Sequence, residues 1–585
     1  MATHDPQLIR VGKLQELQAR GCVVVSAGAH GVAVFWHEGR AWAVDNRCPH
    51  MGFPLSRGTV QDGLLTCHWH HARFDLASGG TLDPFAGDVR AYPAVVRDGE
   101  VFVEVRADDG ERPTHWWRRL EQGLEDQLSL ALAKATLALL GAGADPREIV
   151  RAGARFGARY RAAGWGPGLT ILTAMANLLP TLGAEEQPLA LFHGLLRVAE
   201  DCAGQPPRFG LDPLPGRGLP LRRLKAWFRR AVEVRDAEGA ERTLRTAIES
   251  GVAPAALADI LFVAVTDHYF VDAGHQLDYL AKAFELMDHL GWEEAPAILP
   301  SLVGGLCRAE RSEERSAWRH PVDLPALLEP AFGELGSLAG DPAAGRRLGA
   351  AELDALVETL LGDEPRDAVA ALLSAMRQGT ALAELGQAIA HAASLRIARF
   401  PTSNEFGDWD TVHNTASSCN ALHQALWRAP SRELARGLFH AAMRIYLDRF
   451  LNVPPARLPD ELPAEDVADA PGALLERLDR EQQVNPAGRL VHAHLAAGRP
   501  EAPLLQSLGR AVLREDAGFH DYQALEGGLR QYAALGARHP AAARRALVAT
   551  ARFVAAHCPT PRALGQTYRI ALRLQRGEEL YQAAE

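Results

Sequence analysis

The chain has 585 residues, 47% of them hydrophobic and 23% charged, and carries a formal net charge of -10. That length exceeds what one hydrophobic core supports and implies several domains, while the negative balance excludes nucleic-acid binding through a general basic field. Seven cysteines with no framework spacing exclude a disulfide scaffold. The start, Met1-Ala2-Thr3-His4-Asp5, has no basic and apolar signal, and the most apolar run, Leu128 to Ala144, is interrupted by Lys134. The expectation is a soluble, cytoplasmic protein that binds neither membrane nor nucleic acid.

From about Gly21 to Val105 the residues read as short strands. Cys22 to Val25, Val32 to Trp36 and Trp42 to Val44 are β-branched or aromatic runs, with a turn at His37-Glu38-Gly39. A further hairpin spans Val95 to Val103 around Asp98-Gly99. The pattern predicts a small antiparallel all-β domain over residues 1–107. Inside it lie two tight loops, Cys48-Pro49-His50-Met51-Gly52 and Cys67-His68-Trp69-His70. Two thiolates and two imidazoles suit a 2Fe-2S cluster in which the cysteines hold one iron and the histidines the other. The same four donors also suit zinc.

The second loop and its continuation, Cys67 to Asp75 with the Ser78-Gly79-Gly80 turn, resemble the second cluster loop of Rieske ferredoxins and Rieske oxygenase subunits. The resemblance covers residues 5 to 106 and implies a 2Fe-2S cofactor on Cys48, His50, Cys67 and His70. It departs from the family at His71, where glycine is usual. Phe53 and Trp69 stand where high-potential members carry a disulfide, which implies a low, ferredoxin-like potential. It also implies that His50 and His70 sit at an exposed tip, where electrons leave.

Arg106 to Thr114 is charged and contains Gly and Pro, the composition of a linker. Beyond it, over 115–585, strand signals nearly vanish. Apolar residues at helical spacing, such as Leu257, Ile260, Leu261, Ala264 and Val265, predict a large all-α domain. The Pro- and Gly-rich stretch Pro213 to Pro220 reads as an ordered internal loop.

A one-electron cluster needs an acceptor, and this second part contains fifteen histidines. His268, Asp272 and His275 share one face if a helix runs through them, with Lys282 and His289 further along the stripe. Asp410-Thr411-Val412-His413 repeats the carboxylate-x-x-His spacing of Asp272 and His275, a pattern also compatible with a di-iron bundle. The segments Phe192 to Ala199 and Thr411 to His413 are similar to the questin oxidase-like family. That resemblance implies an oxygen-using helical enzyme with a mononuclear non-haem iron on several histidines and a carboxylated lysine, acting on aromatic compounds. It carries onto His193 and His413 by position, onto His268 and His275 by spacing, and onto Lys282 if that side chain faces the iron. The histidine-rich segment typical of the family is missing, since Leu169 to Leu182 has none.

Neither a Cys-x-x-Cys-His attachment site nor a Gly-x-Gly-x-x-Gly fingerprint after a strand occurs, so electrons are expected from an external reductase or ferredoxin. The expected function is a Rieske-dependent oxygenase in which the cluster feeds a non-haem iron that uses dioxygen against a small organic substrate. The alternative is a non-catalytic electron-transfer or redox-sensing module on a helical scaffold. Oligomerisation is compatible with both.

Overall fold

A computed structural model of the chain describes residues 7–27, 31–105, 113–215, 218–338, 341–462 and 469–581. Of the expected linker, residues 106–112 lie outside the described residues. The chain forms two compact units, Met1–Asp145 with Gln566–Glu585, and Pro146–Gly565.

The described residues of the first unit form ten strands: β1 (Gln7–Lys13), β2 (Cys22–Val25), β3 (Val32–His37), β4 (Arg40–Asp45), β5 (Thr59–Gln61), β6 (Leu64–Thr66), β7 (Arg73–Asp75), β8 (Ala91–Tyr92), β9 (Ala94–Arg97) and β10 (Glu100–Val105). They pair antiparallel in three small sheets, β1-β10-β9, β2-β3-β4-β8 and β5-β6-β7. Val32 to Phe35 are buried in succession, as a strand covered on both faces requires, whereas β10 alternates buried and half-buried residues. Glu38-Gly39 and Asp98-Gly99 have positive φ at both positions, the geometry that closes two-residue hairpins.

Two apolar cores result. Leu17, Val32, Val34, Val101 and Val103 form one. Leu55, Leu65, Phe74 and Leu76 form the other, and Cys48 and Cys67 belong to it. The helices Pro113–Glu125 and Ser129–Gly141 complete the unit together with residues 566–581, whose Gln575 Nε2 donates to the Leu137 carbonyl at 2.9 Å.

The second unit is helical. The helix Leu382–Ala398 buries residues on every side, which marks it as core. It packs on Phe406–Arg428, Phe519–Leu535 and Pro540–His557, and His275–Leu290 packs in turn on Phe406–Arg428. The expected continuous helix through His268 and His275 is interrupted: Phe270, Asp272, Ala273 and Gly274 have φ of 43°, 52°, 54° and 91°. A new helix starts at His275. No helix among the described residues is long and apolar enough to cross a membrane.

Candidate functional site

The two cluster loops follow one plan. Cys48 N–H donates to the Phe53 carbonyl and Gly52 N–H returns to the Cys48 carbonyl, both at 2.8 Å. In the second loop Cys67 N–H donates to Ala72 at 2.8 Å and His71 N–H returns to Cys67 at 3.0 Å. Each turn therefore aims its cysteine inward and carries its histidine two or three residues on toward the same point.

Cys48 and Cys67 are 3% and 1% exposed, and their sulfurs share a hydrogen bond. That bond, with the N–H groups of Trp69 and His70 facing the sulfur, outweighs burial and pulls the Cys67 thiol down to about 6. The Cys48 thiol is pushed up as the donor of the pair and by its burial. The His50 and His70 rings are 4.7 Å apart and nearly perpendicular. Burial, helped by nearby His70 and Lys134, holds His50 down at about 4, in the neutral form that ligates a metal. Its Nδ1 is buried with no hydrogen-bond partner. A pair of hydrogen-bonded thiols, a pair of adjacent imidazoles and an orphaned nitrogen on one of those rings fit a 2Fe-2S cluster, in which each iron takes two protein ligands.

The two histidines are unequal. His70 is exposed, whereas His50 is half-buried against Phe85, ring centroids 5.0 Å apart. A cavity of about 60 Å³ lined by His50, Phe85, Trp116, Arg119 and Lys134 lies on that side.

Residues 7–93 match the family model for the Rieske [2Fe-2S] domain. The chain is 36% identical over 76 residues to the 3-phenylpropionate/cinnamic acid dioxygenase ferredoxin subunit of Photorhabdus laumondii, covering 13% of this chain and 72% of that protein. It is 33% identical over 100 residues to the ferredoxin component of the alkene monooxygenase system of Xanthobacter autotrophicus, covering 17% of this chain and 82% of that protein. The chain belongs to the Rieske [2Fe-2S] family. Among solved structures, the ferredoxin of carbazole 1,9a-dioxygenase from Nocardioides aromaticivorans is 26% identical, with a TM-score of 0.17 and coverage of 17% of this chain and 99% of that one. The family match covers residues 7–93, and the relatives and the structure just named are ferredoxin subunits or components.

The helical unit distributes the other candidate residues unevenly. His268 places Nδ1 at 2.6 Å from Glu313 and Nε2 at 2.7 Å from Glu233, so both nitrogens face carboxylates. His193 is fully buried, with Nδ1 at 2.7 Å from the Tyr522 hydroxyl. Lys282 is 1% exposed and donates to Glu285 at 2.9 Å and Glu526 at 2.7 Å. Those carboxylates overcome its burial and push its amine up to about 12.

His275 and His413 do come together, around His520. The His275 and His520 rings stack 5.9 Å apart and the His413 and His520 rings lie 5.4 Å apart. Asp410 is 2.9 Å from His520 Nδ1 and 3.8 Å from His557 Nε2. Asp521 is 3.6 Å from His557 Nδ1. Burial holds His275 down at about 4 and His413 well below the usual imidazole range. His275 Nδ1, His413 Nδ1, His520 Nε2 and His557 Nε2 are all buried without a hydrogen-bond partner. As the side chains stand, no three His, Cys, Asp or Glu among the described residues converge on one ion position.

Sequence reasoning missed His520, His557 and Asp521. Their only signals were His520-Asp521 in the first turn of Phe519–Leu535 and a histidine at the end of Pro540–His557, and neither has a spacing relation to His413. A cavity of about 30 Å³ adjoins the group, lined by His413, Asn420, Gln523, Gln531 and Phe553.

Proposed function

We propose that the chain is a Rieske-dependent oxidoreductase. An external reductase or ferredoxin reduces the 2Fe-2S cluster on Cys48, His50, Cys67 and His70, and single electrons pass to a non-haem iron in the helical unit. When bound, that iron supplies a site for dioxygen to be reduced while a small organic substrate is oxidised. The observation that carries the reading is the gathering of His275, His413, His520 and His557, each with an open ring nitrogen, beside Asp410 and Asp521.

The chain's own residues do the rest. His70, as the exposed ligand, is the exit for electrons from the cluster. Asp410 holds His520 by its Nδ1 and leaves Nε2 open, the arrangement by which a carboxylate fixes a ligating imidazole. Phe553, fully buried against His413 and His557, excludes water. The adjoining cavity is far smaller than the roughly 150 Å³ that admits benzene, so an aromatic substrate would enter only if the helices part.

The test is metal retention in variants. His413→Ala and His520→Ala should each lose a metal from the helical unit and keep the spin-resonance signal of the reduced cluster. Unchanged metal content in both would sink the helical site.

A second reading is an electron carrier without its own catalytic metal. The similarity to ferredoxin components favours it. It predicts the cluster irons and nothing more.

A further inference from the structure

Trp69 comes from the second cluster loop, and Phe53 closes the first by its hydrogen bond to Cys48. Their rings are 6.2 Å apart and tilted by 45°, leaving a wedge between the loops. Tyr581 fills that wedge: its ring is 4.7 Å from Phe53 and 5.9 Å from Trp69, edge-on to both. Arg57 donates to the Tyr581 hydroxyl at 3.0 Å and lies over its ring.

The segment that delivers Tyr581 is itself anchored to the first loop. Arg47 donates to the Glu578 carbonyl at 2.9 Å. Leu574 lies so close to Gly52 that a Cβ there would meet its Cδ2 at 3.4 Å. Trp69 in turn lies 4.8 Å from His70, the exposed ligand.

We propose that Tyr581 is a positioning residue of the Rieske cluster: through Trp69 it sets the orientation of His70, and through Phe53 it fastens the two ligand loops together. The inference concerns the cluster alone and stands or falls independently of any metal in the helical unit. Its physical basis is that each edge-to-face aromatic contact adds to the apolar burial of the rings. Holding His70 through one indole face ties its ring angle to whatever holds that indole.

The test compares Tyr581→Ala and Tyr581→Phe in the full chain carrying its cluster. Tyr581→Ala should lose its visible absorption to a chelator about tenfold faster, the effect of two lost ring contacts. The reduced cluster should also show shifted spin-resonance g-values. Tyr581→Phe, which keeps the ring and loses only the Arg57 hydrogen bond, should restore both. Native bleaching and a native spectrum in Tyr581→Ala would overturn the proposal. Faster bleaching with an unchanged spectrum would also overturn it, leaving Tyr581 a structural residue only. A Tyr581→Phe variant as impaired as alanine would overturn the ring-packing argument.

Discussion

Gly52 and His71 occupy the same place in the two cluster loops. Each closes its loop by returning its N–H to the carbonyl of the cysteine four residues earlier, and each has positive φ, 83° and 61°. Glycine adopts that conformation freely, whereas an L side chain is strained in it by about 1–2 kcal/mol. The strain sits on an exposed ring, so it is tolerated without disturbing the core.

His71→Gly should therefore stabilise the Rieske domain by about 1 kcal/mol and leave the cluster spectrum unchanged. His71→Val, β-branched at positive φ, should destabilise it by a similar amount. Denaturant midpoints on the loaded protein measure both. A destabilised His71→Gly would mean that the His71 side chain contributes a contact the backbone argument omits.

Cys67→Ser removes a buried thiol that hydrogen-bonds Cys48. It should abolish the visible absorption of the cluster, with far-ultraviolet circular dichroism of the helical unit retained. A cluster that assembles on the serine variant with native absorption would displace Cys67 from the ligand set.

Lys282 should be an unmodified ammonium. Glu285 and Glu526 already accept hydrogen bonds from it, and a carboxylated lysine would set a third negative group against them. The peptide containing Lys282 should have its unmodified mass when native protein is analysed without acid. Lys282→Met should destabilise the helical unit by about 3 kcal/mol, because two buried carboxylates lose a shared cation and keep only Arg530 and Asn177 between them. A tolerated methionine would show that Arg530, also bonded to Glu526, suffices alone.

His268 gives the helical unit a pH dependence of known sign. Burial lowers its pKa, but Glu313 first and then Glu233 outweigh that and raise it. Its contribution to stability is complete below the ordinary imidazole value of about 6.5 and is lost as pH rises through the raised folded value. His193, held down at about 3 by burial, acts oppositely and costs stability as pH falls below about 6.5. The difference in thermal midpoint between native protein and His268→Gln should therefore shrink as pH rises above neutrality. A difference that grows with pH would reverse the assignment.

The β domain was legible because its signals are local. Asp98-Gly99 and Glu38-Gly39 mark their hairpins, and the two short loops carrying Cys48, His50, Cys67 and His70, with the Rieske-like residues that follow the second, point to the domain that the family match bears out. The helical histidines were not legible in this way, because helix packing brings together residues far apart in sequence, as it does His275, His413, His520 and His557. Spacing misled at His268, where the assumed helix is broken by left-handed residues that turn the chain before His275. Gly274 lets the chain approach Ser418 there, where an added Cβ would come within 2.7 Å of the Ser418 Cβ. Tyr581 was invisible for the same reason, since nothing near it in sequence points to a cluster 510 or so residues away.

Metal stoichiometry tests the central claim most directly: total iron and zinc, acid-labile sulfide and the spin-resonance spectrum of reduced protein, all on anaerobically purified chain. A Rieske cluster with a mononuclear iron in the helical unit predicts about three irons and about two sulfides per chain. About two irons with two sulfides and no other metal would contradict the helical site and leave the chain an electron carrier.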